Sequence, residues 1–253
     1  MSMSRTATPA IPIVALDVGS AEEALALARR VGDRCRFFKV GSELFTAAGP
    51  AVVHSLQREL GADIFLDLKF NDIPNTVAGA VRSAAMLGVR LLTVHASGGR
   101  AMLEAAQDAW MGVRADGGDG AGAGGVLAVT VLTSFDAVAL GAAWGRGAGL
   151  SVEREVLRLA ADAVEAGVHG VVCSGEEAAS VHAAQGDRLA LLVPGIRLPG
   201  GETHDQRRVM TPSAARRAGA RYLVLGRAVT AAADPAVAME AVLGELAGVE
   251  RER

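Results

Sequence analysis

Short apolar runs alternate with longer amphipathic segments along almost the whole chain. A run of about four to eight apolar residues is typical of a buried strand, whereas apolar residues repeated every three to four positions, roughly one helical turn, are typical of a helix with one buried face. The pattern predicts eight strands, at residues 13–17, 36–40, 63–69, 91–95, 126–132, 170–173, 189–193 and 222–225. It predicts helices at residues 21–31, 50–60, 75–87, 100–114, 152–166, 176–184, 212–218 and 235–246.

This alternation decides the fold class. Strands that alternate with helices form parallel sheets with crossover helices. Eight such units in 253 residues match the number and size of a closed (β/α)8 barrel. We therefore predict an α/β protein that folds as a single TIM barrel over residues 1–253, with frayed ends near 1–10 and 249–253. A doubly wound open sheet is the alternative, because periodicity does not report whether a sheet closes.

Three segments interrupt the rhythm. Residues 112–125 contain seven glycines and are expected to form a surface loop. Residues 135–149, rich in Gly and Ala, follow the fifth strand on the side where barrels place their active sites. Residues 195–210 follow the seventh strand and are long enough to form a mobile lid.

Composition narrows the function classes. Hydrophobic residues make up 51% of the chain and aromatic residues only 4%, so Ala, Val and Leu must build the core. A formal net charge of -3 argues against a nucleic-acid binder. No apolar stretch approaches the ~20 residues that span a bilayer, and the N-terminus lacks the apolar run of a signal peptide. Cys35 and Cys173 lack metal-ligand spacing, so we expect reduced core thiols in a cytoplasmic protein that does not bind membranes.

The strongest chemical signal lies at the end of the third predicted strand. Asp67 and Lys69 follow an apolar run and point to the same face of the strand, because side chains alternate. Burying these charges is costly unless they pair or take part in chemistry. Asp72 follows where the strand gives way to a helix, since Pro74 suits a first helical turn.

Other ionisable residues lie at neighbouring strand ends. Asp17 ends the first predicted strand, Lys39 nearly ends the second and His95 ends the fourth. Their positions indicate the rim of a shared pocket, in which Lys39, Asp67, Lys69 and Asp72 form a chain of alternating charges. Neighbours ~4 Å apart interact by roughly 4 kcal/mol at an effective dielectric near 20. Such a chain would hold a lysine protonated and positioned to deliver a proton.

Structural interpretations of these residues stay open. Asp67 and Lys69 are also compatible with an ion pair inside the barrel. Either Asp72 or Asn71 could be only a helix N-cap, and Thr76 only a first-turn residue. For His95 a core histidine is the preferred interpretation. No His and carboxylate residues have the spacing of a metal site, so we predict none.

A second cluster lies late in the chain and is rich in arginine. Loops after strands seven and eight of a barrel often bind phosphate. Gly226 would let the backbone approach an anion closely, and Arg227 would add a bidentate guanidinium. The alternative of solvated surface arginines also applies to Arg197, and it is preferred for Arg207 and Arg208.

These motifs together resemble those of the orotidine 5'-phosphate decarboxylase family in its bacterial form. The similarity covers nearly the whole chain in order, and the signature Asp67-x-Lys69-x-x-Asp72-Ile73-Pro74-Asn75-Thr76 is its most specific part. The other matching segments are residues 15–17, 39–41, 131–134, 194–197, 205–212 and 226–227. Three positions depart from the family pattern, Asn71, Leu198 and Ala228, and none of them is a reacting group.

The resemblance implies a homodimeric, cofactor-free barrel that converts orotidine 5'-phosphate to UMP in de novo pyrimidine biosynthesis. It implies a catalytic network of Lys39, Asp67, Lys69 and Asp72, with Asp72 and Thr76 reaching into the neighbouring subunit's site. For the substrate it implies ribose contacts from Asp17 and Lys39, a pyrimidine contact from Thr133 or Ser134, and a phosphate site formed by Arg197, Gln206, Gly226 and Arg227.

The chemistry of these residues agrees with that activity. Loss of CO2 from C6 of a pyrimidine leaves a carbanion without an electron sink, so preorganised charges must stabilise it. Lys69, flanked by carboxylates, can neutralise C6 and then protonate it. Two alternatives remain: a related sugar-phosphate decarboxylase or epimerase that uses Mg²⁺, and a non-catalytic nucleotide-binding barrel. Two observations favour the pyrimidine enzyme. The signature continues through residues 73–76, and all four charged residues of the network are present.

Overall fold

Eight parallel strands form a closed barrel in sequence order, and β1 pairs with β8 to complete it. The computed structural model describes residues 9–115, 124–147, 149–198 and 210–251. Closure confirms the predicted (β/α)8 fold, and the open-sheet alternative is wrong. The strands are β1 (Ile11–Ala15), β2 (Phe37–Gly41), β3 (Asp63–Phe70), β4 (Leu91–His95), β5 (Gly125–Val129), β6 (Gly170–Val172), β7 (Ala190–Val193) and β8 (Ala220–Leu225).

Helices surround this barrel and pack their apolar faces against it. They are α1 (Ala21–Val31), α2 (Ser42–Ala48), α3 (Ala51–Leu60), α4 (Pro74–Met86), α5 (Arg100–Ala115), α6 (Ala137–Ala143), α7 (Val152–Glu165), α8 (Gly175–Gln185), α9 (Pro212–Arg217), α10 (Arg227–Thr230) and α11 (Pro235–Arg251). Eight of them match predicted helices, whereas α2, α6 and α10 were not predicted. Within the described residues, no helix combines the length and apolarity needed to cross a membrane.

Three strands, β1, β5 and β6, end earlier than predicted, and the ends of β1 and β5 matter for the cavity above them. β1 ends at Ala15, so Asp17 lies two residues beyond the strand. β5 ends at Val129, which pairs with the last residue of each neighbouring strand, His95 of β4 and Val172 of β6. The Thr130 hydroxyl donates to the Val172 carbonyl at 2.8 Å and caps this end of the pairing.

The interior below the cavity is tightly packed. Tyr222 is fully buried, its hydroxyl lies 3.0 Å from Nε2 of His169, and its ring meets Phe37 edge to face. Cys35 and Cys173 are free and buried. These contacts fix the strands, so the carboxyl ends above them form a rigid platform.

The segments predicted as loops are only partly described. α5 continues to Ala115 through the start of the predicted loop at 112–125, of which 116–123 lie outside the described residues. In the predicted lid, residues 199–209 lie outside them too. Its two ends are joined by a parallel bridge between Ile196 and Met210, in which the Arg197 N–H donates to the Met210 carbonyl at 3.0 Å.

Candidate active site

A cavity of about 490 Å³ opens at the carboxyl ends of the barrel strands. Charged residues at the ends of the first three strands line the same space as the arginines that follow β7 and β8. Apolar side chains that follow β5 line it too. The residues lining it that the sequence singled out are Asp17, Lys39, Asp67, Lys69, Thr133, Arg197, Gly226 and Arg227. The structure thus brings together two clusters that are far apart in the sequence.

Four side chains form a continuous line of alternating charge in the cavity. Lys39 Nζ lies 2.6 Å from Asp17 Oδ1 and 3.9 Å from Asp67 Oδ2. Lys69 Nζ lies 2.8 Å from the same Asp67 oxygen. Each lysine therefore contacts Asp67, and one carboxylate holds two ammonium groups side by side. The sequence predicted Asp72 as the last member of this line of charges. Within one polypeptide chain, however, the second carboxylate of the line is Asp17.

Lys69 has an unusual backbone conformation. Its φ is 52°, and it is the one non-glycine residue with a positive φ in the described part of the chain. The left-handed region costs an L-residue about 1–2 kcal/mol. The register between β3 and β4 shifts between Leu66 and Phe70, which marks a bulge around Lys69. Because strained residues persist only where their surroundings enforce them, this position is a strong indication of function.

Thr93 on β4 connects the strained backbone to the charges. Its hydroxyl accepts a hydrogen bond from the Lys69 N–H at 2.9 Å and donates one to Asp67 Oδ1 at 2.9 Å. The side chain is fully buried. Sequence reasoning missed Thr93, because a threonine inside an apolar strand is typical of any β-sheet. The available signal was its position two residues before His95, on the strand that neighbours Asp67 and Lys69.

Gly41 leaves the space that Lys39 occupies. A Cβ at Gly41 would lie 3.0 Å from Lys39 Nζ and 3.5 Å from Asp17 Oδ1. The distance to Lys39 Nζ is tighter than ordinary contact, whereas the distance to Asp17 is ordinary, so a larger residue at this position would displace the lysine. Gly41 was quoted only as part of a matching motif, and its spatial reason appears only in three dimensions.

The second cluster is cationic. Arg197 is only 6% exposed, its Nη1 donates to the Ile196 carbonyl at 3.0 Å, and its Nε has no partner among the described residues. Burial, and then the positive charge of Arg227, lower the pKa of Arg197. Gly226 lines the cavity beside Arg227, and a Cβ there would meet no atom within 4 Å. This arrangement is suited to an anion that neutralises both guanidiniums.

Three of the sequence-predicted residues that the structure describes do not line the cavity of this chain. Asp72, Thr76 and Ser134 are exposed, whereas Gln206 lies outside the described residues. Of the pair Thr133 and Ser134, the structure places Thr133 in the cavity wall.

Neither Asp72 nor Asn71 caps α4 with its side chain. The N-cap residue is Ile73, with Pro74 at the first helical position. The Asp72 carboxylate accepts the adjacent Ile73 N–H at 2.6 Å. The helix therefore starts from the conformation that Pro74 imposes, and the N-cap alternative is wrong for both Asp72 and Asn71.

His95 lies close to the charged line but outside the cavity lining. Burial lowers its pKa, the charge of Lys69 lowers it further, and the charge of Asp67 opposes both effects. A neutral, partly buried imidazole agrees with the preferred interpretation of a core histidine. No group of three or more His, Cys, Asp or Glu residues within the described ranges is arranged to hold a metal ion.

Comparisons with known proteins agree with this geometry. An enzyme from Sodalis glossinidius named orotidine 5'-phosphate decarboxylase is 49% identical over 237 residues, covering 92% of this chain and 89% of the relative. Its namesake from Chromobacterium violaceum is 48% identical over 240 residues, covering 94% and 92%. The crystal structure of orotidine 5'-phosphate decarboxylase from Lactobacillus acidophilus superposes with a TM-score of 0.81 at 37% identity, over 94% of this chain and 99% of that one.

These relatives confirm the predicted resemblance and the prediction of a carboxy-lyase. The match to the family model extends over residues 11–242, from the first strand into the last helix. The chain belongs to the orotidine 5'-phosphate decarboxylase / HUMPS family.

Proposed function

We propose that this protein decarboxylates orotidine 5'-phosphate to UMP, a step of pyrimidine biosynthesis, with the Lys69 ammonium as the proton donor to C6. The observation that carries the proposal is the line of alternating charge, in which Asp67 binds Lys69 at 2.8 Å and Lys39 at 3.9 Å inside one cavity. This is a preorganised electrostatic environment, which a carbanion without an electron sink requires.

The two clusters divide the substrate between them. Arg197 and Arg227, with the open backbone at Gly226, are suited to the phosphate, and Gln206 is proposed to join them. We propose that Asp17 and Lys39 hold the ribose hydroxyls and that Thr133 contacts the pyrimidine edge. Phosphate binding far from the reacting carbon would then supply binding energy that is used in the chemical step.

The chemical step needs one proton and no electron acceptor. The bond between C6 and the carboxylate carbon breaks, CO2 leaves, and the electron pair stays on C6. The Lys69 ammonium neutralises that pair and then gives a proton to C6 to form UMP. Asp67 lies beside the position of the leaving carboxylate, so its charge destabilises the bound substrate and keeps Lys69 in place.

The decisive experiment follows the loss of orotate absorbance with metal-free protein in the presence of EDTA. We expect full turnover in EDTA and a fall of about 10⁴-fold or more in kcat for Lys69→Ala, because both charge stabilisation and proton donation are lost. Lys69→Ala should still bind UMP, which calorimetry checks. Near-wild-type activity of Lys69→Ala would refute the proton donor. A requirement for Mg²⁺ would instead favour the sugar-phosphate alternative.

We also propose a homodimer in which Asp72 and Thr76 complete the neighbouring site. Residues 71–76 form a continuous exposed run directly after the strand that carries Lys69, and Ile73 within it is 66% exposed. An isoleucine so exposed, directly after the strand that carries Asp67 and Lys69, is suited to a subunit contact. In a symmetric dimer, one contact of this kind places the same residues at both sites.

Mixing two inactive variants tests this sharing of residues. Lys69→Ala and Asp72→Ala each break both sites of their own homodimer. After exchange of subunits, a heterodimer has one site with both residues intact, so about one quarter of all sites should regain activity. Exchange of Lys69→Ala with Lys69→Ala carrying a different tag is the matched control and should recover none. Absence of recovery, with heterodimers demonstrated by the tags, would exclude a role for Asp72 across the interface.

A further inference from the structure

Thr93 is the buried polar group at this site that the proposed chemistry does not use. It lies on β4, opposite the bulge in β3, and its side chain is fully buried. A threonine hydroxyl has one proton, so it can donate only one hydrogen bond while it accepts others. Here it accepts from the Lys69 N–H and donates to Asp67 Oδ1, both at 2.9 Å.

The first bond replaces one that the sheet cannot make. Because the pairing of β3 with β4 shifts between Leu66 and Phe70, the Lys69 N–H falls in the irregular part of the ladder. A bulge leaves such a group without a regular partner, and buried N–H groups are almost always satisfied. Thr93 supplies the missing acceptor from its side chain, and so holds Lys69 at its positive φ of 52°.

The second bond sets the rotation of the carboxylate. With Oδ1 of Asp67 occupied by Thr93, Oδ2 is the oxygen left to face both lysines, at 2.8 Å from Lys69 Nζ and 3.9 Å from Lys39 Nζ. The Thr93 hydroxyl therefore fixes two groups at once, the backbone of Lys69 and the Asp67 carboxylate that holds the Lys69 ammonium.

We infer that Thr93 is a positioning residue for decarboxylation, which aims the Lys69 ammonium by binding the Lys69 N–H and Asp67 Oδ1 at once. This inference rests on the proposed function of Lys69. It predicts a loss in the chemical step rather than in substrate binding, because the phosphate and ribose contacts are made by other residues.

The experiment compares Thr93→Val, which keeps the shape and removes the hydroxyl, with Thr93→Ser, which keeps the hydroxyl. We expect Thr93→Val to lower kcat about 100-fold, as a misplacement of about 1 Å can do, with KM for orotidine 5'-phosphate within roughly threefold. Thr93→Ser should recover kcat to within roughly fivefold of wild type, because both hydrogen bonds can form again.

Thr130→Val is the matched control. Thr130 is also buried, and its hydroxyl donates to the Val172 carbonyl, but its side chain does not line the cavity. We expect it to lower the melting temperature and leave kcat within about twofold. Equal kcat losses in Thr93→Val and Thr130→Val, or a KM effect alone, would overturn the inference.

Two further outcomes separate this inference from the proposed function. If Lys69→Ala is inactive while folded Thr93→Val retains wild-type kcat, only the role of Thr93 fails. If Lys69→Ala retains activity, the assignment of Lys69 as the proton donor is refuted, and the proposed function fails before the role of Thr93 is tested. Should Thr93→Val not fold, Thr93→Ala replaces it, and failure of both to fold would make Thr93 a stability residue and contradict the inference.

Discussion

We predict that Arg197 lowers the stability of the ligand-free protein and strengthens phosphate binding. The substitution Arg197→Met should separate these two effects. The methionine keeps much of the length of the side chain and removes the charge. In the free protein Arg197 is buried, its Nε has no described partner, and the charge of Arg227 disfavours its protonated form. Removing the guanidinium should therefore stabilise the ligand-free barrel and weaken phosphate binding.

The magnitude follows from the contacts. A buried polar group without a partner costs about 1–3 kcal/mol, and an unpaired buried charge costs more. Against this, the variant loses the Nη1 bond to the Ile196 carbonyl, a contribution of about 1.5–3 kcal/mol for a charged donor. Because an uncompensated buried charge costs about 3–5 kcal/mol, the middle of these ranges gives a net gain of about 1–2 kcal/mol, which corresponds to a rise of roughly 2–8 °C in Tm for a domain of this size. Losing one charged contact to phosphate should cost about 2–4 kcal/mol.

Thermal unfolding with and without UMP provides the assay. Without UMP, Arg197→Met should melt above wild type; at a UMP concentration of about 100 times the wild-type Kd, the order should reverse, since wild type gains about 2.7 kcal/mol from the ligand. UMP affinity by calorimetry should fall roughly 30- to 1000-fold. Arg58→Met, a change at an exposed arginine, is the control and should alter neither quantity. An Arg197→Met protein that melts below wild type and binds UMP equally well would refute the reasoning.

Three other predictions test single features. Gly41→Ala should raise KM and lower kcat by roughly three- to tenfold in the orotate assay, because the new Cβ displaces Lys39 Nζ from its place 3.0 Å away. Burial, and then nearby arginines, lower the pKa of His169 in the folded state. The free energy of unfolding should therefore be highest above the unfolded pKa near ~6.5 and should decline as pH falls below it. In urea unfolding, this decline should be shallower for His169→Gln than for His54→Gln. Burial, and then the charge of Glu177, raise the pKa of Cys173 to about 12, so iodoacetamide at pH 8 should leave activity unchanged although this thiol lines the cavity.

The strands and long helices were predictable because their burial is periodic. α1, for example, has the predicted bounds, since its buried positions Ala24, Leu27, Ala28 and Val31 recur at helical spacing. α2 and α6 were not predicted because seven residues include too few turns for a periodicity to appear. In α6 the N-cap Asp136 accepts the Ala139 N–H at 2.8 Å, a local signal that the surrounding glycines and alanines obscured.

The site was predictable in its charges and not in its geometry. Asp67 and Lys69 stand out in the sequence because ionised groups rarely follow an apolar strand without a purpose. The bulge that orients them does not stand out in the sequence, because it depends on how β3 aligns with β4 rather than on either segment alone. Thr93 was missed for the same reason, because its partners Lys69 and Asp67 lie on the neighbouring strand. Gly41 lies only two residues from Lys39 on the same strand, and it was missed because the space that it leaves for Lys39 Nζ is visible only in the structure.

Two departures from ordinary protein structure meet in one cavity, and their coincidence is itself informative. Lys69 has a backbone conformation that L-residues avoid, and Arg197 is a buried cation with an unsatisfied nitrogen. Lys69 lies on β3 and Arg197 follows β7, and the two departures arise from unrelated physics, one steric and one electrostatic. A barrel selected only for stability would remove each by a single substitution, so each must be retained for what it does there. The substrate that would relieve both is one molecule with an anionic group for Arg197 and a developing negative charge for Lys69, which is the charge distribution of a nucleotide that loses CO2.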